Sequence, residues 1–194
     1  MSLQHALLAT LLDGDATGYE LAKRFDIAAS NFWHAQRAQL YAELKRMEDK
    51  GLVSGETVLQ TIRPNKRVMS ITEEGLEELC RFVTEPSDRI ALKDDLMVKI
   101  TALDIADHDA VLADIERRRE SAVAQMARYV GDVERMLHGR DEETFVRTTH
   151  RIGPYLTLLR GIALEEENIR WCETAARLVA ARRQRRTAGR SRTA

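Results

Sequence analysis

The stretch from residue 39 to residue 53 constrains the fold of this chain more than any other segment. Leu40, Leu44 and Met47 fall at helical spacing, so one face of a helix packs inward and the remaining faces stay polar. Gly51 ends this helix, because glycine readily adopts the left-handed conformation found just beyond a helix terminus. The pattern therefore predicts an amphipathic helix that displays polar side chains to its surroundings.

Two short apolar runs follow this helix, and a basic turn separates them. Residues 52–53 and 68–71 have the composition of short strands, and the turn contains Pro64 and Asn65. We therefore expect a hairpin of two strands. A helix that can enter a major groove, followed by a basic hairpin that can lie beside it, forms a winged helix-turn-helix.

Further helices are predicted on both sides of this pattern. A leucine-rich stripe over residues 3–12 indicates a first helix. Thr17 precedes Glu20 in the pattern of a capping box, which indicates the start of a second helix. After the hairpin, Thr72 is placed to cap a fourth helix, because acidic residues and then an apolar stripe follow it.

The segment around Pro86 breaks the helical pattern, so we place a domain boundary there. Residues 1–85 are then the winged helix-turn-helix domain, and residues 86–181 are a helical domain. A short apolar segment around Leu96 is expected to pack toward the first domain. Between residues 107 and 137, apolar side chains recur at alternating short spacings, which predicts a long helix with a heptad-like seam.

The last predicted helix is centred on residues 155–179, and Pro154 kinks it or marks its start. It carries too many apolar positions for one exposed stripe, so we expect it to pack against both the long helix and a second subunit. Residues 182–194 are rich in Arg, lack an apolar period and are expected to be disordered. The predicted fold is mainly α: a winged helix-turn-helix with a two-stranded wing, followed by a coiled-coil-like dimerisation domain.

Composition argues against several classes of protein. No run approaches the roughly 20 apolar residues of a membrane span, and the start of the chain lacks the features of a signal peptide. A cytoplasmic protein is expected.

Cys80 and Cys172 lie in helical patterns and are expected to be small buried residues. The five His residues show no ligand spacing, and no phosphate loop or catalytic motif is present. The sequence therefore predicts no metal, no cofactor and no enzyme.

The distribution of charge is compatible with a nucleic-acid partner although the net charge is −1. Basic side chains outnumber acidic ones between residues 34 and 67, whereas acidic residues cluster at 73–78 and 165–167. Attraction to phosphates depends on the local field more than on the summed charge.

Several short motifs occur along the chain in an order that is typical of one family. They are Gly18-Tyr19-Glu20-Leu21, Phe32-Trp33, residues 39–47, Lys50-Gly51-Leu52-Val53, Lys66-Arg67 and residues 71–75, 92–99 and 161–171. On these motifs the chain resembles the PadR family of bacterial transcriptional regulators, in the subgroup with AphA-like C-terminal helices. The resemblance implies a homodimer that is held by its C-terminal helices and that usually represses transcription at operator DNA. Ala38 is a departure, since similar sequences carry Gly there.

Polar residues near the start of the recognition helix are the candidate base contacts. Gln36, Arg37 and Gln39 lie where base edges are met, and Arg suits guanine as Gln suits adenine. Lys45 follows on the same helix as a candidate DNA contact. A solvated helix face is the alternative interpretation of each of these residues.

Two tyrosines and the basic hairpin are the candidate backbone contacts. The Tyr41 hydroxyl can reach a phosphate, with half-buried packing beside Leu44 as the alternative. Tyr19 anchors its helix or, as the resemblance implies, contacts the DNA backbone. The hairpin cations are confined to one turn, which favours a wing over the minor groove or the backbone rather than simple solubilising charge. These cations are Arg63, Lys66 and Arg67.

Trp33 and Trp171 are the residues most open to a ligand interpretation, because an aromatic face can stack on a planar effector. Core or interface packing is the alternative for each. A small aromatic effector would bind beside these rings and alter the affinity for DNA.

Two functional hypotheses from different classes remain. The first is a dimeric repressor that binds an inverted-repeat operator in double-stranded DNA. The second is a winged-helix module that docks another protein and does not bind DNA. The three hairpin cations favour the first hypothesis, because a protein-docking wing has no need for such a cluster.

Overall fold

The computed structural model describes residues 3–28, 35–59, 65–87, 93–105 and 107–190, and within these ranges the side chains of all residues except 27, 28 and 183–190. The chain divides into two compact units, Met1–Arg89 and Ile90–Ala194. Within the described ranges, no helix is both long enough and apolar enough to cross a membrane.

The first unit is built from four helices and a small sheet. The helices are α1 (Leu3–Leu11), α2 (Gly18–Ala28), α3 (Arg37–Asp49) and α4 (Glu73–Thr84). Leu7, Phe25, Leu40 and Met47 are at most 1% exposed and meet in one core, so α1, α2 and α3 share the same apolar cluster. Leu79 brings α4 into this cluster.

The sheet has three strands, β1 (Ala16–Thr17), β2 (Val53–Val58) and β3 (Lys66–Ile71), in the order β1-β3-β2. β2 and β3 pair antiparallel, as the hairpin prediction required, and Val53 lies opposite Ile71. The prediction of a two-stranded wing missed β1, which pairs with β3 at Met69 and Val68. A strand of two residues is too short to show an alternating pattern, and Thr17 also caps the helix that follows.

Local caps begin two helices where the sequence predicted them. Thr17 Oγ1 accepts a hydrogen bond from the Glu20 N–H at 3.2 Å, and Glu20 Oε2 accepts one from the Thr17 N–H at 2.8 Å. Thr72 Oγ1 accepts from the Gly75 N–H at 3.1 Å and starts α4. Each cap satisfies backbone donors that the first turn of a helix leaves without partners.

The second unit is helical. It contains α5 (Asp95–Thr101), a 3-10 turn (Leu103–Ile105), α6 (His108–Leu137), α7 (Glu142–Thr148) and α8 (Gly153–Arg190). α6 matches the predicted long helix and begins after the Asp107 cap. Leu96 is buried in the core of this unit with Ile115 and Cys172.

The structure differs from the sequence prediction before α8 and at the end of α8. α7 was not predicted, although Asp141 accepts the Thr144 N–H at 2.8 Å in an ordinary N-cap. Disorder was expected from Arg182 onward, but the backbone continues as helix α8 to Arg190. Arg182 also pairs with Asp104 at 2.5 Å. Arg, Ala and Gln are good helix formers, and a helix that has been nucleated extends at little cost.

The two cysteines differ in burial. Cys172 is buried, as predicted, and burial raises the pKa of its thiol. Cys80 is exposed, so its predicted burial is wrong. Leu79 takes the inward position on α4, and a neighbour one residue away points about 100° from it around the helix.

Candidate nucleic-acid interface

The outward face of α3 has small residues at its centre. Leu40, Leu44 and Met47 are buried in the core, so the opposite side of the helix faces solvent. Ala38 and Ala42 lie one turn apart on that opposite side and are exposed. Short side chains at these positions let the helix backbone approach a partner surface closely.

Polar side chains surround this small-residue patch. Lys45 is exposed and pairs loosely with Asp49 at 3.6 Å, so its ammonium group stays accessible. Arg46, which the site prediction did not include, is exposed. Its Nη1 donates a hydrogen bond to Glu43 Oε2 at 2.8 Å. Ala38, Ala42 and Arg46 could have been found from the outward half of the helical pattern, because they lie opposite the buried positions.

The start of α3 places three predicted site residues at the surface. Gln36 is the N-cap residue, and its N–H donates to Gln39 Oε1 at 3.0 Å. Gln36, Arg37 and Gln39 are all exposed. Gln39 therefore supports the helix start in the free chain, and its amide nitrogen is the part best placed to reach a base edge.

Two aromatic contacts join the start of α3 to the start of α2. The Arg37 guanidinium lies 5.9 Å from the centre of the Tyr19 ring, within the range of a cation–π interaction. The edge of the Tyr41 ring lies against Gly18, where it occupies the space of a Cβ atom. Tyr19 and Tyr41 remain 62% and 47% exposed, so the structure brings both predicted tyrosines to one surface beside Arg37.

The described wing residues differ in how they are held. Lys66, at the start of β3, is exposed. Arg67 forms an ion pair with Glu48 of α3, and its side chain crosses Gly55 of β2. Arg67 was predicted as a DNA contact, and in the free chain it connects the wing to the recognition helix. Sequence reasoning did not find this link, because the partners come together only through the register of the hairpin.

The start of α2 carries a carboxylate close to this surface. Hydrogen bonds from the Thr17 backbone and side chain hold the pKa of Glu20 below its usual value, with smaller contributions from Lys66 and Arg24. The capping box therefore keeps Glu20 ionised and bonded to Thr17. That arrangement fixes the first turn of α2, on which Gly18 and Tyr19 lie.

The end of α3 is tied to α1 and α4. Lys50 Nζ donates to Gln4 Oε1 at 3.0 Å, and Gln4 Nε2 donates to Glu78 at 3.4 Å. His5 Nε2 lies 3.0 Å from the same Glu78 carboxylate, and its ring stacks on Phe82. α3 is thus held at both ends while its outward face stays uncovered in the described unit.

Three predicted site residues remain. Trp171 lies on α8 and packs, partly buried, against the core of the second unit. Trp33 and Arg63 lie outside the described residues. In the described part of the chain, no three His, Cys, Asp or Glu side chains form a group that could hold a metal ion.

Family models match both halves of the chain. The model of the PadR-like family of transcriptional regulators matches residues 7–81. The model described as the C-terminal part of virulence activator alpha matches residues 92–180. The chain is also 33% identical over 190 residues to the probable transcriptional regulator Rv1176c of Mycobacterium tuberculosis. The aligned region covers 91% of this chain and 96% of that protein.

Solved structures share the fold. PadR of Bacillus subtilis in complex with operator DNA superposes with a TM-score of 0.75 at 22% identity, over 91% of this chain and 98% of that chain. The same protein has been solved with p-coumaric acid, and there the TM-score is 0.70 at 21% identity, over 92% of this chain and 98% of that chain. The virulence activator AphA of Vibrio cholerae gives 0.68 at 25% identity, over 93% of this chain and 99% of that chain.

Proposed function

The chain belongs to the PadR-like family of transcriptional regulators, and we propose that it binds operator DNA as a homodimer and represses transcription. In this proposal α3 enters the major groove and the wing lies along the neighbouring backbone. The protein acts without catalysis, in the cytoplasm, where operator DNA is accessible.

The observation that carries the proposal is the outward face of α3. The short side chains of Ala38 and Ala42 leave the helix backbone close to the surface at the centre of this face. Positive charge surrounds that centre, from Arg37, Lys45 and Arg46. A major groove about 12 Å wide admits a helix of this kind, and the cations reach phosphates on its two edges. Gln36 and Gln39 are then close to base edges.

A second copy of the chain is supported by the exposed apolar residues of the second unit. Val123 and Val130 of α6 lie two turns apart on one face and are 42% and 39% exposed. Leu156 and Leu178 of α8 are more than half exposed. We propose that a partner's helices cover these side chains, because burial of apolar area is the main favourable contribution to obligate association. Two copies would present their α3 helices to an inverted repeat.

A small aromatic effector is the regulatory part of the proposal. B. subtilis PadR has been solved with p-coumaric acid, a planar aromatic acid. Trp171 is partly buried against the core of the second unit and offers an aromatic face there, with simple packing as the alternative. Trp33 is proposed as a second candidate. An effector releases the operator only through different affinities for the free and DNA-bound arrangements.

Selection of bound duplexes from a random pool tests the proposed function. We expect an inverted repeat to be enriched and both half-sites to be protected in a footprint. The binding constant of the selected operator should fall with salt with a log–log slope of about −5, if the dimer neutralises on the order of 6 phosphates. Enrichment of no sequence, together with a flat salt dependence, would favour a protein-docking module instead.

A further inference from the structure

Gly18, the first residue of α2, lies against the edge of the Tyr41 ring from α3. A Cβ atom at this position would lie 2.6 Å from Cε1 and 3.3 Å from Cδ1 of that ring. Carbon atoms in proteins do not approach to the shorter of these distances without a shift of one partner. The ring therefore occupies the space that a side chain at residue 18 would need.

Backbone conformation does not explain the glycine. Among the described residues, Gly14, Gly51 and Gly139 have positive φ angles of 104°, 74° and 75°, where other residues are strained. Gly18 is not in that group and starts an ordinary helix. An alanine would suit the backbone there and would favour the helix. The nearest atoms that a methyl group at residue 18 would meet all belong to the Tyr41 ring.

A second contact next to this one fixes the same relation between the helices. Arg37 precedes Tyr41 by one turn of α3, and its guanidinium lies over the ring of Tyr19, the residue after Gly18. Consecutive residues of α2 thus meet residues one turn apart on α3. These two contacts add to the burial of Leu40, Leu44 and Met47 in holding the rotation of α3 about its own axis.

We propose that Gly18 is a positioning residue for the recognition helix. By leaving room for the Tyr41 ring, Gly18 sets the rotation of α3 and hence which side chains point at base edges. This inference rests on the proposed DNA-binding function. It predicts that a methyl group at residue 18 acts through Tyr41 and changes sequence discrimination as well as affinity.

A double-mutant cycle in the full-length chain tests the packing without DNA. We expect Gly18→Ala to lower the melting temperature by about 5 °C when Tyr41 is present. In a Tyr41→Ala background, Gly18→Ala should leave the melting temperature unchanged or raise it, because the space is then free. Equal destabilisation in both backgrounds would overturn the proposal, since the glycine would then act independently of the ring.

The same four proteins test positioning on the selected operator, at a temperature well below melting. We expect Gly18→Ala to reduce affinity about tenfold. The ratio of affinities for the operator and for its single-base variants should fall at the positions read by the start of α3. In the Tyr41→Ala background, Gly18→Ala should cause no further loss. An unchanged ratio in every background would overturn the positioning role and leave only packing.

Gly153→Ala is the matched control. Gly153 also starts a helix, and a Cβ atom there would meet nothing within 4 Å. This variant should melt at or slightly above the temperature of the original chain and bind the operator as that chain does. If the original chain binds no duplex, the proposed function fails, while the melting cycle still decides whether Tyr41 requires a glycine at residue 18.

Discussion

The two units of the chain bury apolar surface in different ways. In the first unit, Leu7, Leu21 and Met47 come from three helices and are all fully buried in one core. In the second unit, α6 runs for 30 residues, and its buried residues share one face with α8 while Val123 and Val130 lie exposed on another. The first unit, which we call the closed unit, joins four helices in one internal core. In the second, which we call the open unit, we propose that another chain covers the exposed apolar face of α6.

The comparison separates two tasks that depend on each other. In the proposed function, the closed unit presents α3 to the groove, and the open unit brings two such helices to one operator. Joining two DNA-binding units can raise overall affinity by roughly 10² to 10⁴ over one unit, without any new contact to DNA. Variants that separate the two copies should therefore reduce operator binding more than variants of the wing do.

Among the variants that compare the two units, Val123→Glu combined with Val130→Glu is expected to have the largest effect. Two carboxylates on the exposed apolar face would oppose association, because burying an unpaired charge is costly. We expect a monomer in sedimentation and a loss of operator affinity of about 100-fold or more. The control is Ser121→Glu combined with Arg128→Glu, at exposed positions with the same spacing on another face of α6. A dimer that survives the valine variant would refute the proposed interface.

A smaller effect is expected from the wing of the closed unit. Lys66→Ala should flatten the log–log salt slope by about 2, since the dimer loses one phosphate contact in each copy. Sequence preference should not change, because phosphate contacts carry no base information. Arg67→Ala should behave differently and disturb the wing, because Arg67 pairs with Glu48 of α3. A salt slope that Lys66→Ala leaves unchanged would remove the wing from the interface.

The smallest effect concerns stability of the open unit. Asp94 caps α5 and accepts two hydrogen bonds from Arg118 at 2.5 and 2.7 Å. The bonds from Arg118 hold the pKa of Asp94 below its ordinary value of 3.8. A carboxylate with a lowered folded pKa stabilises above its unfolded pKa, and that contribution is lost as pH falls through the folded pKa.

Asp94→Asn should therefore lower the free energy of unfolding by about 1 kcal/mol at neutral pH. The difference from the original chain should shrink as the pH falls from the unfolded pKa of Asp94 through its folded pKa, because the carboxylate is protonated first in the unfolded state and then in the native state. Asp95→Asn is the control, at the exposed neighbouring position. Denaturant unfolding at two pH values would measure both variants. A difference that persists at low pH would contradict the charge-based explanation.

Much of the architecture could be predicted because it depends on short-range patterns. The apolar spacing of α3, the Thr72 cap and the bounds of α6 each lie within one segment and were confirmed. β1 and α7 were missed, since each is too short to show a period. Cys80 was misplaced by one position on the helical face.

The site was harder to predict, because its geometry depends on contacts between segments. The ion pair between Arg67 and Glu48 depends on the register of the hairpin. The contact between the Tyr41 ring and Gly18 depends on how α2 packs against α3. Neither can be seen in local spacing. Ala38 and Ala42 at the centre of the α3 face were not among the predicted contacts, because that prediction rested on polar and charged side chains. The size of the side chains at that centre nevertheless limits how closely a helix can approach DNA.

The central claim is that the outward face of α3 enters the major groove. Ala42→Glu tests it directly, since Ala42 is exposed at the middle of that face and Glu is a good helix former. The variant should fold normally and lose about 100-fold or more in operator affinity, because a carboxylate would face the phosphates. Ala113→Glu on α6 is the control, and it should bind as the original chain does. An Ala42→Glu protein with the original operator affinity would contradict the claim.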